Sequence, residues 1–148
     1  MAKDRIKKLH LSVNEDIRFF IYGIVTSSPD YKLSLLLNTL LGISLRSDQP
    51  LTIKTGHKTE TTFSQFSDLS GVPYSWITVI ANRSESYRLL KKMQNIDYLI
   101  LHYNETAEED NDIAFYNAVK ESGFVSGIFS ISRSAIDKQL LDQIIPLH

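Results

Sequence analysis

The clearest pattern of apolar and polar positions lies between Ser28 and Gly42, where leucines recur at helical spacing. Ser28 can cap the first turn, and Pro29 suits the first helical position because that position needs no amide donor. Gly42 can end the helix in a left-handed conformation. The pattern predicts a helix that buries a broad leucine surface, including Leu36, against a sheet. The positions expected to face water are Lys32, Ser34, Asn38 and Thr39.

Strand-like patterns precede and follow this helix. Arg5 to Val13 alternates between apolar and polar side chains, and Ile17 to Thr26 is apolar on both faces, so the two segments predict an antiparallel hairpin. Threonine-rich arms at Leu51 to Thr55 and Glu60 to Phe66 predict a second hairpin. Further strands are predicted at Tyr74 to Ala81, Ile96 to Tyr103 and Phe124 to Ile131.

Other segments have helical patterns. Ser86 to Met93 predicts a short helix. A longer helix begins at Thr106 and Glu109, which have the spacing of a capping box, and ends near Ser122. Its inward positions are expected to be Ile113, Tyr116 and Val119. A last amphipathic helix is predicted from Ser134 to Ile145.

The order of these elements predicts the fold class. It favours an α+β fold, with a mostly antiparallel sheet and about three helices packed mainly on one face. The last strand–helix–strand unit is expected to form one parallel pair. The length of 148 residues suits a single domain over residues 1–148.

The composition limits the classes of function. Hydrophobic residues make up 43% of the chain and charged residues 22%, and the net charge of −1 gives no global attraction to nucleic acid or to an acidic membrane. The chain has no cysteine, which excludes disulfides, thiol nucleophiles and metal–thiolate sites. No apolar run reaches membrane-spanning length, and the N-terminal residues form no apolar signal region, so we expect no membrane partner and a cytoplasmic location.

Residues that could perform chemistry are scattered along the sequence. The histidines are distant from one another, and His10 and His102 would meet only if their predicted strands pair. The acidic stretch from Glu105 to Asp112 does not have the spacing of a calcium loop and is typical of a helix start. No glycine-rich phosphate-binding motif and no nucleophile elbow is present. The sequence therefore predicts no metal, no cofactor and no catalytic residue.

Two basic clusters are candidate RNA contacts. The first comprises Lys3, Arg5, Lys7 and Lys8, and the second comprises Arg83, Arg88, Lys91 and Lys92. If both clusters lie on one side of the sheet, with Tyr87 between them, they would form an RNA-contacting face. The alternative is that the first is the solvated face of a strand and that the second stabilises a helix C-terminus.

Several segments together resemble a known family. They are Asp30 to Leu33, Leu36 to Asn38, Thr62 to Phe66, Ile80 to Asn82 and Ile96 to Ile100. These segments resemble the IPExxxVDY family of small bacterial proteins, found mainly in Bacteroidetes. Ile96-Asp97-Tyr98 corresponds to the second half of the naming motif, and Leu90-Lys91-Lys92 occupies the place of its Ile-Pro-Glu. The resemblance implies one cytoplasmic domain, implies no particular activity, and points to Asp97 and Tyr98 as candidate functional positions.

These features lead to three hypotheses. The first is a non-enzymatic binding or scaffolding domain with a protein partner, which also forms a homodimer through exposed sheet edges. The second is an RNA-binding domain that uses the basic clusters. The third is an enzyme or small-molecule binder of an unfamiliar type, with a pocket that holds Asp97, His102 and Tyr103. We prefer the first, because no recognisable catalytic or cofactor motif is present.

Overall fold

The computed structural model describes residues 19–54, 58–85, 87–105 and 109–145. Within these ranges the α-helices are Asp30–Leu41 (α1), Glu109–Glu121 (α2) and Lys138–Ile144 (α3), with a 3₁₀ turn at Arg133–Ala135. The strands are Phe19–Val25 (β1), Arg46–Ser47 (β2), Leu51–Lys54 (β3), Glu60–Phe63 (β4), Gln65–Asp68 (β5), Ser75–Ala81 (β6), Arg83–Ser84 (β7), Tyr87–Arg88 (β8), Tyr98–Asn104 (β9) and Gly127–Ser130 (β10). None of the helices in these ranges has the length and apolar character needed to cross a bilayer.

Six strands form the main sheet, in the order β10-β1-β9-β6-β5-β2, and each described pair is antiparallel. β9 lies between β1 and β6, so that Ile100 faces Tyr22 on one side and Val79 on the other. These strands are apolar on both faces, as central strands covered on both sides must be. The predicted α+β fold with a mostly antiparallel sheet is confirmed.

The final strand–helix–strand unit differs from the expectation. β9 and β10 are connected through α2, but β10 pairs with β1 and not with β9. Both strands run antiparallel to β1, which lies between them, so the expected hydrogen-bonded parallel pair is wrong. β1 therefore has partners on both edges from Tyr22 to Ile24. The predicted first strand, Arg5 to Val13, lies outside the described residues.

One face of the main sheet, which we call the helical face, is covered by α1 and α2. Leu33 and Leu37 of α1 and Phe115 and Val119 of α2 pack in one cluster with strand residues such as Ile100. The two helices also contact each other. Each buried leucine contributes about 1.5–3 kcal/mol in transfer free energy, so this cluster is a large part of the stability.

α1 buries a narrower stripe than the sequence predicts. Leu33 and Leu37 are 0% exposed, whereas Leu35 is 62% exposed and Leu36 is half-buried. Ser34, expected to face water, is buried and donates to the Tyr31 carbonyl at 2.8 Å. The physical reason is that α1 packs along one side only, so that only the side chains on that side, those of Leu33, Ser34 and Leu37, are buried.

Both ends of α1 can be compared with the prediction. Gly42 ends the helix at φ 64° and donates its N–H to the Asn38 carbonyl, which confirms its role as the stop. The N-cap is Pro29 and not Ser28, and no side chain caps the first turn. The Ser28 carbonyl instead accepts a hydrogen bond from the Tyr98 hydroxyl at 2.8 Å.

The opposite face of the main sheet carries a second core. Leu141 and Ile144 of α3 and Phe63 of β4 cluster there with Leu99 and Leu101 of β9. The hairpin of β3 and β4 matches the second predicted hairpin, although Gln65–Asp68 leaves it to join the main sheet as β5. Two of the three described α-helices thus cover the helical face, and α3 lies on the other side.

The segment after β6 is not the predicted helix. The sequence pattern predicts a helix from Ser86 to Met93, but β7 and β8 form a two-residue antiparallel ladder, and turns follow. The N–H groups of Leu89 and Leu90 bind the backbone carbonyl and the side-chain oxygen of Asn82. These bonds, made to a residue outside the predicted helix, occupy the donors that a helix would have used for its own ladder.

Candidate functional site

A groove of about 640 Å³ opens on the face of the sheet that α3 covers. Four parts of the chain line it: the end of β3, Phe63 of β4, the segment from Tyr87 to Met93, and the region from Ser134 to Gln143, which includes most of α3. Apart from β3 and β4, which form one hairpin, these parts are distant in sequence and meet because each packs against the same core beneath. The volume lies within the range of about 300–1,000 Å³ that is typical of ligand sites.

The floor of the groove is apolar. Phe63, Leu90 and Ile136 line it and are 1%, 6% and 5% exposed, so most of their surface belongs to the core. Ile53 and Leu140, which are half-buried, pack on that core and also line the groove. Their exposed atoms form an apolar surface that a ligand could cover.

Most of the charges along the groove are positive. Lys54, Arg88, Lys91 and Lys92 line it, and Asp137 is the one acidic residue in that lining. The Asp137 carboxylate already accepts from the Gln139 N–H at 2.9 Å and caps α3. Within the described residues none of the four cations has a carboxylate partner within ion-pair distance.

Arg88 differs from the three lysines in its surroundings. It is half-buried, and its Nε is shielded from water with no hydrogen-bond partner among the described residues. Lys91 and Lys92 are exposed, and Lys54 lies opposite Glu60 across the hairpin. A positive charge in a partly desolvated position attracts an anion more strongly than one that water screens.

Asn82 holds the basic segment in place. Its amide nitrogen donates to the carbonyls of Met93 and Ile96 at 3.0 and 2.7 Å, and its oxygen accepts from the Leu90 N–H at 2.7 Å. Its own backbone N–H binds the Asp97 carbonyl at 2.9 Å. Asn82 is 0% exposed, and its side-chain bonds to Leu90 and Ile96 are shielded from water, whereas the bond to the Met93 carbonyl is part-buried. They fix the shape of the groove wall.

Asp97 lies outside the groove lining and is engaged with the backbone of β1. Its carboxylate accepts from the Thr26 N–H at 2.9 Å and forms an ion pair with Arg83 at 3.2 Å. Its own N–H donates to the Ile24 carbonyl. These contacts tie the start of β9 to the end of β1.

Tyr98 also lies outside the groove lining, on the helical face. Its hydroxyl donates to the Ser28 carbonyl, and burial, with the nearby Asp30 and Asp97 carboxylates, raises the pKa of Tyr98 to about 12. The neutral hydroxyl therefore persists through the physiological range. The contacts of Asp97 and Tyr98 are those of residues that hold the ends of strands together.

The pocket expected around Asp97, His102 and Tyr103 is not the groove, which none of them lines. The His102 ring lies near the rings of Phe20 and Phe115, with centroids 6.3 and 5.1 Å away. Burial lowers the pKa of His102 to about 4, and its Nδ1 has no partner among the described residues. Tyr103 stacks on Trp76 with centroids 5.9 Å apart.

The remaining candidate residues are divided between the groove and other places. Lys3, Arg5, Lys7, Lys8 and His10 lie outside the described residues. In the second basic cluster, Arg88, Lys91 and Lys92 line the groove, but Arg83 does not and is paired with Asp97. In the part of the chain that the structure describes, no group of three or more histidine, aspartate or glutamate residues is placed to hold a metal ion.

Comparison of the chain with protein-family models finds no match, and comparison with curated proteins finds none either. The resemblance to the IPExxxVDY family therefore stays a prediction. The assignment of a functional site consequently depends on the geometry of this molecule alone.

The sequence pattern identified part of this site and missed the rest. Arg88, Lys91 and Lys92 stand out as a basic cluster, but Ile53 and Leu140 carry no local sign that they share a cavity with it. Asn82 resembles an ordinary strand terminator in the sequence. Only its position beside the 89–96 segment gives it three side-chain hydrogen bonds.

Proposed function

We propose that the protein is a non-enzymatic binding domain of the cytoplasm, and that the groove beside the segment from Tyr87 to Met93 is its binding site. The observation that supports this proposal is the combination, along one cavity, of an apolar floor with four cations that have no ion-pair partner among the described residues. Apolar surface supplies affinity, and a few charged groups fix the orientation of what binds.

The surroundings of the other candidate positions favour binding over catalysis. The Asp97 carboxylate is occupied by a backbone amide and by Arg83, and the Tyr98 hydroxyl is occupied by a backbone carbonyl. A general acid or base needs a proton-accepting or proton-donating atom directed at substrate. These two side chains direct those atoms at groups of their own domain, namely two backbone groups and, for Asp97, also the Arg83 guanidinium.

Ala135→Trp tests the proposal, because Ala135 is exposed and lines the groove. The matched control is Ala114→Trp on α2, which is exposed and does not line the groove. Each affinity-tagged protein is isolated from its own cells at low salt and examined by native mass spectrometry. We expect a molecule that remains bound to the wild type and to the control and is lost from Ala135→Trp. A molecule retained equally by all three proteins, or none retained by the wild type, would contradict the proposal.

Self-association belongs to the same proposal, with β10 as one described route. Ile128 lies opposite Ile24, whose carbonyl bonds toward β9. The backbone groups of Ile128 therefore point away from β1, to the outer edge of the sheet that the described strands form. The Tyr116 hydroxyl donates to that Ile128 carbonyl at 3.3 Å. A dimer formed by pairing two β10 strands would have to displace this hydroxyl. Tyr116→Phe should therefore increase the dimer fraction in light scattering if β10 is the route, and a monomer at all concentrations would contradict self-association.

RNA binding is a second candidate, favoured by one observation. Tyr87, 38% exposed, lies in the same lining as Arg88, Lys91 and Lys92, and an aromatic ring among cations can stack a single-stranded base. Titration with a labelled oligouridine at several salt concentrations tests it. Salt-dependent binding that Tyr87→Ala weakens would support it, and a flat titration at low salt would contradict it.

A further inference from the structure

We propose that the groove binds a small anionic amphiphile, a molecule with a carboxylate-type head and an aliphatic tail. This inference rests on the proposed function and specifies its ligand class. The head would lie at Arg88, Lys91 and Lys92, and the tail would lie on the floor between Ile53 and Leu140.

The charge distribution favours an anion over a cation or a neutral ligand. Arg88, Lys91 and Lys92 come from one short segment and line the same cavity, and none has an ion-pair partner within the described residues. Asp137 is committed to the first turn of α3 through Gln139. A guanidinium in a partly desolvated place is the side chain best suited to a carboxylate, because its donors match the two oxygens in one plane.

The apolar part of the lining favours a ligand that also has an aliphatic part. Ile53, Met93 and Leu140 are half-buried, pack on the core and line the groove. An ion with no apolar part, such as inorganic phosphate, would leave this surface in water. Each methylene that covers it should tighten the dissociation constant by about fourfold, which corresponds to about 0.8 kcal/mol.

The dimensions favour a small molecule over a folded partner. A cavity of about 640 Å³ lies in the middle of the range for sites that enclose most of a small ligand. A stable protein–protein interface instead needs about 800 Å² from each partner, spread over about 20–30 residues.

Heteronuclear NMR titration of the full chain with octanoate, decanoate and decanol tests the inference. We expect saturable shifts at Ile53, Met93 and Leu140 with decanoate, binding about tenfold weaker or more for octanoate, and weaker binding again for decanol at equal chain length. Lys91→Glu with Lys92→Glu should weaken decanoate binding about tenfold or more, because two attractive charges become repulsive. The control is Lys32→Glu with Lys120→Glu, two exposed residues on α1 and α2 that change the net charge by the same amount.

Each outcome decides the inference. Equal affinity for decanoate and decanol, an equal effect of the two double variants, shifts confined to residues outside the groove, or no saturable binding would each overturn it. If the fatty acids fail while Ala135→Trp still loses a retained molecule, the proposed function stands and the ligand class is wrong. If no molecule depends on the groove in either experiment, both are wrong.

Discussion

Replacing Asn82 with alanine should destabilise the protein more than replacing Asn38, a half-exposed asparagine whose side chain also forms hydrogen bonds with the backbone. The Asn82 side chain is 0% exposed and makes three hydrogen bonds with the backbone of residues 90, 93 and 96. Alanine would leave the buried Leu90 N–H and the Ile96 carbonyl without their partners, whereas the part-buried Met93 carbonyl would keep its bond from the Ile96 N–H. A buried polar group that loses its partner costs about 1–3 kcal/mol, and carbonyls with a second acceptor site lie at the lower end.

The loss of partners for this buried N–H and this buried carbonyl predicts a decrease of about 2–4 kcal/mol in the free energy of unfolding. A domain is stable by only about 5–15 kcal/mol, so the variant should remain folded only under mild conditions. The matched control is Asn38→Ala. Asn38 also makes two hydrogen bonds, with the backbone of Leu45 at 2.6 and 3.1 Å, but it is half-exposed. Water can replace those bonds, and the control should lose only about 1–2 kcal/mol.

Urea unfolding at 10 °C, followed through the fluorescence of Trp76, measures both variants. Trp76 is the only tryptophan in the sequence and is 4% exposed, so its emission reports the core. Asn82→Asp gives an independent check, because it keeps the shape and the acceptor but turns a carboxylate oxygen toward two carbonyls. We expect it to be at least as destabilising as alanine. If Asn82→Ala cost no more than Asn38→Ala, or if Asn82→Asp were close to wild type, the hydrogen bonds of Asn82 would not be what holds the groove wall.

Three further predictions follow from the burial and the pKa values. Leu37→Ala should lower the free energy of unfolding by about 2–5 kcal/mol, because Leu37 is 0% exposed. Leu35→Ala should change it by less than about 0.5 kcal/mol, because Leu35 is 62% exposed. Equal effects of the two variants in urea unfolding would refute this prediction. The pKa of His102 falls to about 4 in the folded protein. Above pH 6.5 the charge state of His102 should therefore cost no free energy of unfolding. Between pH 6.5 and 4 the free energy of unfolding should decrease by about 3 kcal/mol, because the unfolded chain takes up a proton that the folded chain does not. His102→Leu should flatten that decrease, and an unchanged pH profile would contradict the assignment. The pKa of Tyr98 rises to about 12, so the contribution of its neutral hydroxyl to the free energy of unfolding should be complete below pH 10 and be lost between pH 10 and 12. Ultraviolet titration should show a late-titrating phenol in the wild type that is missing in Tyr98→Phe.

The local pattern predicted the central strands and the first helix correctly. β1, β6 and β9 are continuous apolar runs, because each is covered on both faces. Gly42 marked the end of α1, because few other residues adopt its positive φ. In these places the side-chain pattern and the backbone conformation depend on the same few neighbouring residues.

The segment from Ser86 to Met93 shows why the rest could not be predicted. Its pattern of apolar residues has helical spacing, but its backbone donors find Asn82, several residues earlier at the end of β6. Leu35 and Ile113 likewise have helical spacing and are 62% and 50% exposed, because α1 and α2 contact the sheet along narrower stripes than their sequences allow. Periodicity defines which positions share a face and does not define how much of that face a partner covers.

The sequence by itself therefore determined the fold class, the types of most elements and a basic cluster at Arg88, Lys91 and Lys92. The tertiary structure decided that this cluster lines one cavity together with Ile53 and Leu140. It also decided that the side chains of Asp97 and Tyr98 form hydrogen bonds with the backbone outside that cavity. The physical reason is that a groove is formed by surfaces distant in the sequence, whose meeting depends on strand order and on where each element docks on the core. Those are properties of the packed chain and not of any one of its segments.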